Sequence, residues 1–210
     1  MFFDYGATFI WAVSGALVAA RQRFDLVGLC AIALVSSTGG GLMRDGLFLQ
    51  NGPPMLVQSP WYIMLALAGA LLVFFLGGRV HKSRYFTQTV GMFDALGLGA
   101  YAVIGMQKAS ALGLSTLGIV LVGLVNAVGG GVLRDVLVSR EPQVFKPGTL
   151  NVSAAAAGCA CYLVLVQGFA IDTSIAAWVT IAITFCLRAL SVRFNIHTNP
   201  TTGFDEEPRR

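Results

Sequence analysis

The chain carries one seven-residue motif twice. Gly39-Gly40-Gly41-Leu42-Met43-Arg44-Asp45 returns, ninety residues on, as Gly129-Gly130-Gly131-Val132-Leu133-Arg134-Asp135. Each copy lies in the middle of a long apolar run. A glycine in a helix interior costs about 1 kcal/mol relative to alanine, and charge among apolar residues is expensive and usually functional. One such motif is a tolerated defect. Two in register make the chain a duplication, and the fold has to accommodate both copies.

Of the 210 residues, 56% are hydrophobic and 11% charged, with a mean hydropathy of +0.74. Soluble domains carry about 25% charged residues, so the composition is that of a membrane protein. Seven apolar stretches, near 4–20, 26–49, 60–78, 86–107, 114–138, 148–168 and 172–192, approach the length of about 20 residues that a hydrocarbon core requires. They predict an all-α integral membrane protein with a single transmembrane domain over 1–198. The tail 199–210, rich in Pro, Thr, acids and Arg, is expected to be disordered.

The repeat extends well beyond the motif. Between 4–48 and 94–138, aligned without a gap, fourteen of forty-five positions are identical, among them Asp4/Asp94, Gly15/Gly105, Gly28/Gly118 and the two motifs. Repeat one spans about 4–78 and repeat two about 86–168, with three predicted helices in each. An odd number forces the second copy to insert upside down, so the expectation is two inverted three-helix repeats. The stretch 172–192 has no counterpart and forms a seventh, extra helix.

Charge placement orients the chain. With seven spans, Arg21, Arg23, Arg79, Lys82, Arg84, Arg140, Lys146, Arg188, Arg193, Arg209 and Arg210 fall on one side and Lys108 alone on the other, while Arg44 and Arg134 stay within the membrane. The positive-inside rule then puts the C-terminus in the cytoplasm and the N-terminus outside. Asp4 stands where a signal peptide would carry positive charge, so the first span is expected to be retained. Cys30, Cys159, Cys161 and Cys186 have no metal or redox spacing and read as small core residues. His81 and His197 lie outside the spans. Glycine triplets without a following Gly-Lys-Ser/Thr are not phosphate loops, and no nucleophile–base pair accompanies them. An enzyme is not expected, nor is a cofactor, a resident metal or a nucleic-acid partner.

What the triplets do is therefore the functional question. A helix broken inside a bilayer frees carbonyls and amides, which survive only in protein or beside a water-filled cavity. Ser36, Ser37 and Thr38 precede the first triplet, Gly39, Gly40 and Gly41, and Asn126 precedes the second, Gly129, Gly130 and Gly131. Hydroxyls, an amide and loosened carbonyls are hard oxygen ligands able to replace the hydration shell of an alkali cation. These residues are the expected ion path. Close helix packing by small residues is the alternative and is compatible with permeation.

Depth pairs the charges. Arg44 comes late in the second span, on the side where Asp4 begins the first; by inversion Arg134 and Asp94 share the other side. Two related pairs, Arg44 with Asp4 and Arg134 with Asp94, are expected at opposite mouths, as a gate or as purely structural ties. Asp45 and Asp135 follow their arginines at about 100° around a helix and are expected to bond elsewhere. Lys108 reads as a snorkelling interfacial residue.

Seven spans, inverted repeats and Gly-Gly-Gly-x-x-Arg-Asp in each second helix resemble the prokaryotic TRIC family, the trimeric intracellular cation channels. The resemblance covers about 4–192. It implies a homotrimer with one potassium-permeable pore per protomer, lined by the kinked second and fifth helices, in contact with membrane lipid and sited in a prokaryotic plasma membrane. Under it the kinks are Gly39–Gly41 and Gly129–Gly131, followed by Arg44, Asp45, Arg134 and Asp135. The same class has been labelled as small-solute, glycine-type transporters, and inverted repeats suit that reading equally.

Overall fold

The computed structural model describes residues 2–81, 86–145 and 150–194. The basic loop residues Lys82, Arg84 and Lys146, His197 and the tail 199–210 lie outside them. The described residues form helices and no strands: α1 (Phe2–Arg21), α2 (Leu26–Met43), the short α3 (Met55–Gln58), α4 (Pro60–His81), α5 (Phe86–Ala111), α6 (Thr116–Leu137), α7 (Asn151–Leu163) and α8 (Thr173–Arg193). Two π-helical turns, Arg44–Leu49 and Val164–Gly168, extend α2 and α7. Among the described residues, Leu26–Leu49, Val90–Ala111, Thr116–Leu137, Asn151–Gly168 and Thr173–Ser191 are long and apolar enough to cross a membrane.

Local chemistry starts the motif-bearing helices in the same way. The Asp25 carboxylate accepts from the Gly28 N–H at 2.8 Å, and the Ser115 hydroxyl accepts from the Gly118 N–H at 3.3 Å. These caps occupy aligned positions of the two repeats, and each satisfies one of the amides a helix start leaves open. Two cores follow. One packs Ala12, Ala16 and Leu17 of α1 with Leu29, Ile32 and Ala33 of α2 and Ala66, Ala70 and Val73 of α4. The other packs Ala102, Val103 and Met106 of α5 with Ile119 and Val122 of α6, Ala155 and Cys159 of α7, and Ala176 and Ala177 of α8. A third cluster (Ala7, Trp11, Ala100, Tyr101, Ile104) joins α1 to α5 at the centre.

Polarity runs opposite to that of a soluble protein. Phe75, Leu117, Ile175 and Trp178 project outward, while Thr8, Ser14, Ser36, Asn126, Thr180, Thr184 and Arg188 are buried. The one correction to the charge map is Arg188. Counted with the cations of one side, it sits inside α8, 2% exposed, on one face with Thr180, Thr184 and Ser191. The spacing of four, four and three residues puts all four on one helical stripe, turned toward Gly99 of α5 and Gly158 of α7, whose missing side chains admit Thr184.

Candidate functional site

The glycine triplets do not break their helices. α2 runs helical to Met43 and α6 to Leu137, through both motifs. The sequence-based expectation of freed backbone at Gly39–Gly41 and Gly129–Gly131 is therefore corrected. In a membrane an unpaired backbone group costs several kcal/mol, more than the ~1 kcal/mol per glycine that helix propensity disfavours, so the helix persists. Departure from α geometry comes one residue later, at Arg44, where the winding widens to π.

The glycines serve close approach instead. A Cβ placed on Gly39 would lie 3.3 Å from the Gly130 Cα, and one on Gly129 3.2 Å from the Gly40 Cα. A Cβ on Gly40 would overlap the Asn126 carbonyl oxygen, and one on Gly130 would overlap that of Ser36. Each contact is the other displaced by ninety residues. α2 and α6 thus cross backbone to backbone at the two motifs, as small residues allow in membranes.

A small cavity that bears charged side chains flanks the crossing on each side. The first, about 20 Å³, is lined by Asp4, Thr8, Ser37, Thr38, Gly41, Arg44, Asp45, Tyr62 and Tyr101, among others. The second, about 30 Å³, is lined by Trp11, Asp94, Leu98, Ala127, Val128, Gly131, Arg134 and Asp135, among others. Asp4, Thr8, Ser37, Thr38, Gly41, Arg44 and Asp45 correspond at the ninety-residue offset to Asp94, Leu98, Ala127, Val128, Gly131, Arg134 and Asp135. Each cavity accommodates about one or two water-sized species. Outside the Arg44 cavity lies an open vestibule of about 300 Å³, which shares Asp45 and Met55 with it and includes Lys108 and Gln58.

The charges pair differently in the two halves. Arg134 reaches Asp94 with Nη1 to Oδ1 at 3.0 Å and Nη2 to Oδ2 at 3.2 Å, and its Nε donates to Asp135 at 3.0 Å. Ser14 completes this group, donating to Asp94 at 2.6 Å and accepting from Arg134 at 3.1 Å. Arg44 instead takes Asp45 in a fork, Nε to Oδ1 at 2.7 Å and Nη2 to Oδ2 at 3.0 Å, while its Nη1 donates to the Asn126 side-chain oxygen at 3.2 Å. The expected Arg44–Asp4 pair is absent among the described ion pairs. The Asp4 carboxylate accepts from the Tyr62 hydroxyl at 2.5 Å.

The expectation that Asp45 and Asp135 bond elsewhere fails as well, since both hold their own arginines. Each also accepts a backbone N–H, from Met55 at 3.1 Å and Gln143 at 3.2 Å. A 100° offset separates neighbouring Cβ atoms, but the long arginine side chain curls back around the helix and closes the gap. The difference between halves traces to aligned positions that differ, Asn126 against Ser36 and Ser14 against Ile104. Asn126 is long enough to reach across to Arg44; its counterpart Ser36 is not, and the Ser36 hydroxyl has no partner. Arg134 is thereby left to find Asp94 and Ser14.

Other expected oxygen ligands face their own backbone. Ser37 donates to the Ala33 carbonyl at 2.8 Å and Thr38 to that of Leu34 at 2.7 Å. Asn126 sits at the crossing, fully buried, and donates to the Tyr101 carbonyl at 2.6 Å. Sequence reasoning missed Trp11 and Tyr101, which stack edge-on between the two cavities with ring centroids 5.1 Å apart. Their aligned positions, both aromatic but not identical, held the signal.

Buried charge, inward polarity and apolar helices of membrane-crossing length define an all-α, multi-pass membrane protein with a duplicated polar centre. A family model described as "Glycine transporter" matches residues 1–77 and 91–167, two stretches offset by the same ninety residues, and the chain belongs to that family. It is 39% identical to a UPF0126 membrane protein of Deinococcus radiodurans over 76% of this chain and 73% of that one. It is 28% identical to the UPF0126 inner membrane protein YadS of Escherichia coli K12, over 98% and 97%. Among solved structures it resembles the TRIC trimeric intracellular cation channel orthologue from Rhodobacter sphaeroides, with 29% identity, a TM-score of 0.85, and coverage of 93% of this chain and 97% of that one.

Proposed function

We propose that the chain is a monovalent-cation channel, selective for potassium, with one pore in each protomer of a homotrimer. The pore runs from the vestibule through the Arg44 cavity, past the α2–α6 crossing, into the Arg134 cavity. The protein crosses the plasma membrane seven times as two inverted three-helix repeats plus α8, with the N-terminus outside. α1 and α4 complete the count, and α3 lies at the mouth of the Arg44 cavity. The observation that carries the reading is the pair of repeat-related cavities, each lined by two carboxylates and a guanidinium, beside the glycine crossing. Likeness over nearly the whole chain to a protein described as a trimeric cation channel supports it.

The lining favours a cation. Each cavity presents two carboxylates against one guanidinium: Asp4 and Asp45 with Arg44, then Asp94 and Asp135 with Arg134. Thr8, Ser37, Thr38 and Tyr101 supply hydroxyl oxygens around the first cavity. Oxygen atoms at that density can exchange for the hydration shell of an alkali ion. In the conformation described, the cavities are of single-water size and the arginines are tied, so the path is closed. Loosening Arg44 from Asn126 and Arg134 from Asp94 opens the two ends, which makes these intramembrane charges the gating group. Ser36, Gly39, Gly40, Gly129 and Gly130 form the narrow waist.

A second reading draws on the family description: a carrier for glycine or a similar zwitterion, in which the two cavities open alternately. Recording purified protein in a planar bilayer separates them. Discrete unitary steps carried by potassium support the channel; electrical silence with saturable, concentrative glycine uptake supports the carrier.

A further inference from the structure

We infer that Trp11 and Tyr101 form the central gate of the ion path, with Tyr101 as its fixed post and the Trp11 ring as the part that moves. This rests on the channel reading and deepens it. The two residues hold aligned positions of the two repeats, ninety apart, and are each 4% exposed. Tyr101 lines the Arg44 cavity and Trp11 lines the Arg134 cavity. Their rings meet edge-on at 5.1 Å and 62°. Aromatic contact of this kind is worth about 1 kcal/mol beyond the area it buries, enough to favour a closed pose without locking it. The contact thus joins a lining residue of one cavity to a lining residue of the other.

The two rings are held very differently. The Tyr101 hydroxyl donates to the Ser37 carbonyl at 2.5 Å and lies 3.1 Å from the Thr8 hydroxyl, and the Asn126 amide donates to the Tyr101 carbonyl at 2.6 Å. Trp11 has no such anchor: its buried Nε1 has no hydrogen-bond partner. A buried indole N–H usually finds an acceptor, and leaving a polar donor unpaired costs about 1 to 3 kcal/mol. The ring rests instead against glycines of two helices. A Cβ on Gly97 of α5 would overlap the indole nitrogen, and one on Gly130 of α6 would lie 2.6 Å from the far edge of the ring. The ring thus lies in a slot between two glycine backbones, edge-on to Tyr101, with no polar tie to fix its orientation. A small turn of the ring at the edge of the Arg134 cavity would bring Nε1 toward the Asp94 and Asp135 carboxylates that line it. The same movement would join the two cavities.

Wild-type protein, Trp11→Ala, Trp11→Phe and Tyr101→Phe are reconstituted and recorded in planar bilayers, with potassium and then methylammonium as the permeant ion. Removing the indole is expected to raise unitary potassium conductance about three-fold and to make methylammonium permeant, since pore diameter sets the size limit. Trp11→Phe, which keeps a smaller ring in place, is expected to fall between. Tyr101→Phe, which frees the post from Ser37, is expected to raise open probability while methylammonium stays excluded. Wild-type conductance and size limit in both Trp11 variants overturn the gate. If Trp11→Ala does not fold, Trp11→Phe alone decides by the same criterion. A wild-type protein that passes no cation overturns the channel reading itself, an outcome distinct from failure of the gate.

Discussion

Gly40 of α2 lies so close to Asn126 of α6 that a single added methyl would overlap the Asn126 carbonyl oxygen. Ninety residues on, Gly130 stands in the same relation to Ser36. The two halves of the molecule are therefore locked at a point where neither helix has a side chain to yield.

Gly40→Ala and Gly130→Ala should each lower stability by about 1 to 3 kcal/mol, the range for overpacking where backbone has to shift. Gly41→Ala is the control. The nearest atom to its Cβ is 3.7 Å away, and alanine gains up to ~1 kcal/mol in helix propensity. Thermal unfolding midpoints in detergent should fall for the first two variants and hold or rise for the third.

Asp94 and Asp4 occupy aligned positions, yet their loss should differ in consequence. Asp94→Ala removes both oxygens from a buried Arg134 and one partner from Ser14. Arg134 keeps Asp135 on its Nε, so the loss is that of charged hydrogen bonds at a buried site, about 2 to 3 kcal/mol. Asp4→Ala removes a hydrogen bond from Tyr62 and leaves Arg44 with Asp45, a loss of about 1 to 2 kcal/mol. Equal destabilisation in chemical unfolding would mean that Arg44 leans on Asp4 after all.

Asn126 and Ser36 make a second contrast at aligned positions. Asn126→Leu takes a second donor from the Tyr101 carbonyl and a partner from Arg44, which should cost about 2 kcal/mol. The Ser36 hydroxyl has no partner to lose, so Ser36→Ala should be neutral or stabilising by up to ~1 kcal/mol. The same unfolding assay ranks them.

How far the sequence announced this site varies residue by residue. The duplication and the meeting of Arg134 with Asp94 follow from spacing and depth. The continuity of α2 and α6 does not, because propensity measured in water underrates how strongly lipid enforces backbone pairing. Arg44 defeated symmetry because aligned positions differ: Asn126 spans the crossing where Ser36 does not, and Ser14, which ties Arg134 to Asp94, has Ile104 as its counterpart. Arg188 was legible in principle, through its spacing from Thr180 and Thr184, but counting cations by side passed over its burial. Trp11 and Tyr101 escaped because matching by identity passes over an aromatic pair.

Lys108 shares the vestibule with Asp45. Lys108→Gln should raise inward potassium conductance about two-fold at low ionic strength, by removing a like charge from the approach. At 1 M salt, where screening acts within about 3 Å, the difference from wild type should vanish. Conductance measured across a salt series checks both limits.

The most direct test is the reversal potential of purified protein in a planar bilayer under a potassium chloride gradient. Two carboxylates per guanidinium in each cavity predict discrete steps that reverse near the potassium equilibrium potential. Steps that reverse near the chloride potential, or no steps at all under conditions where glycine accumulates in vesicles, would contradict the account.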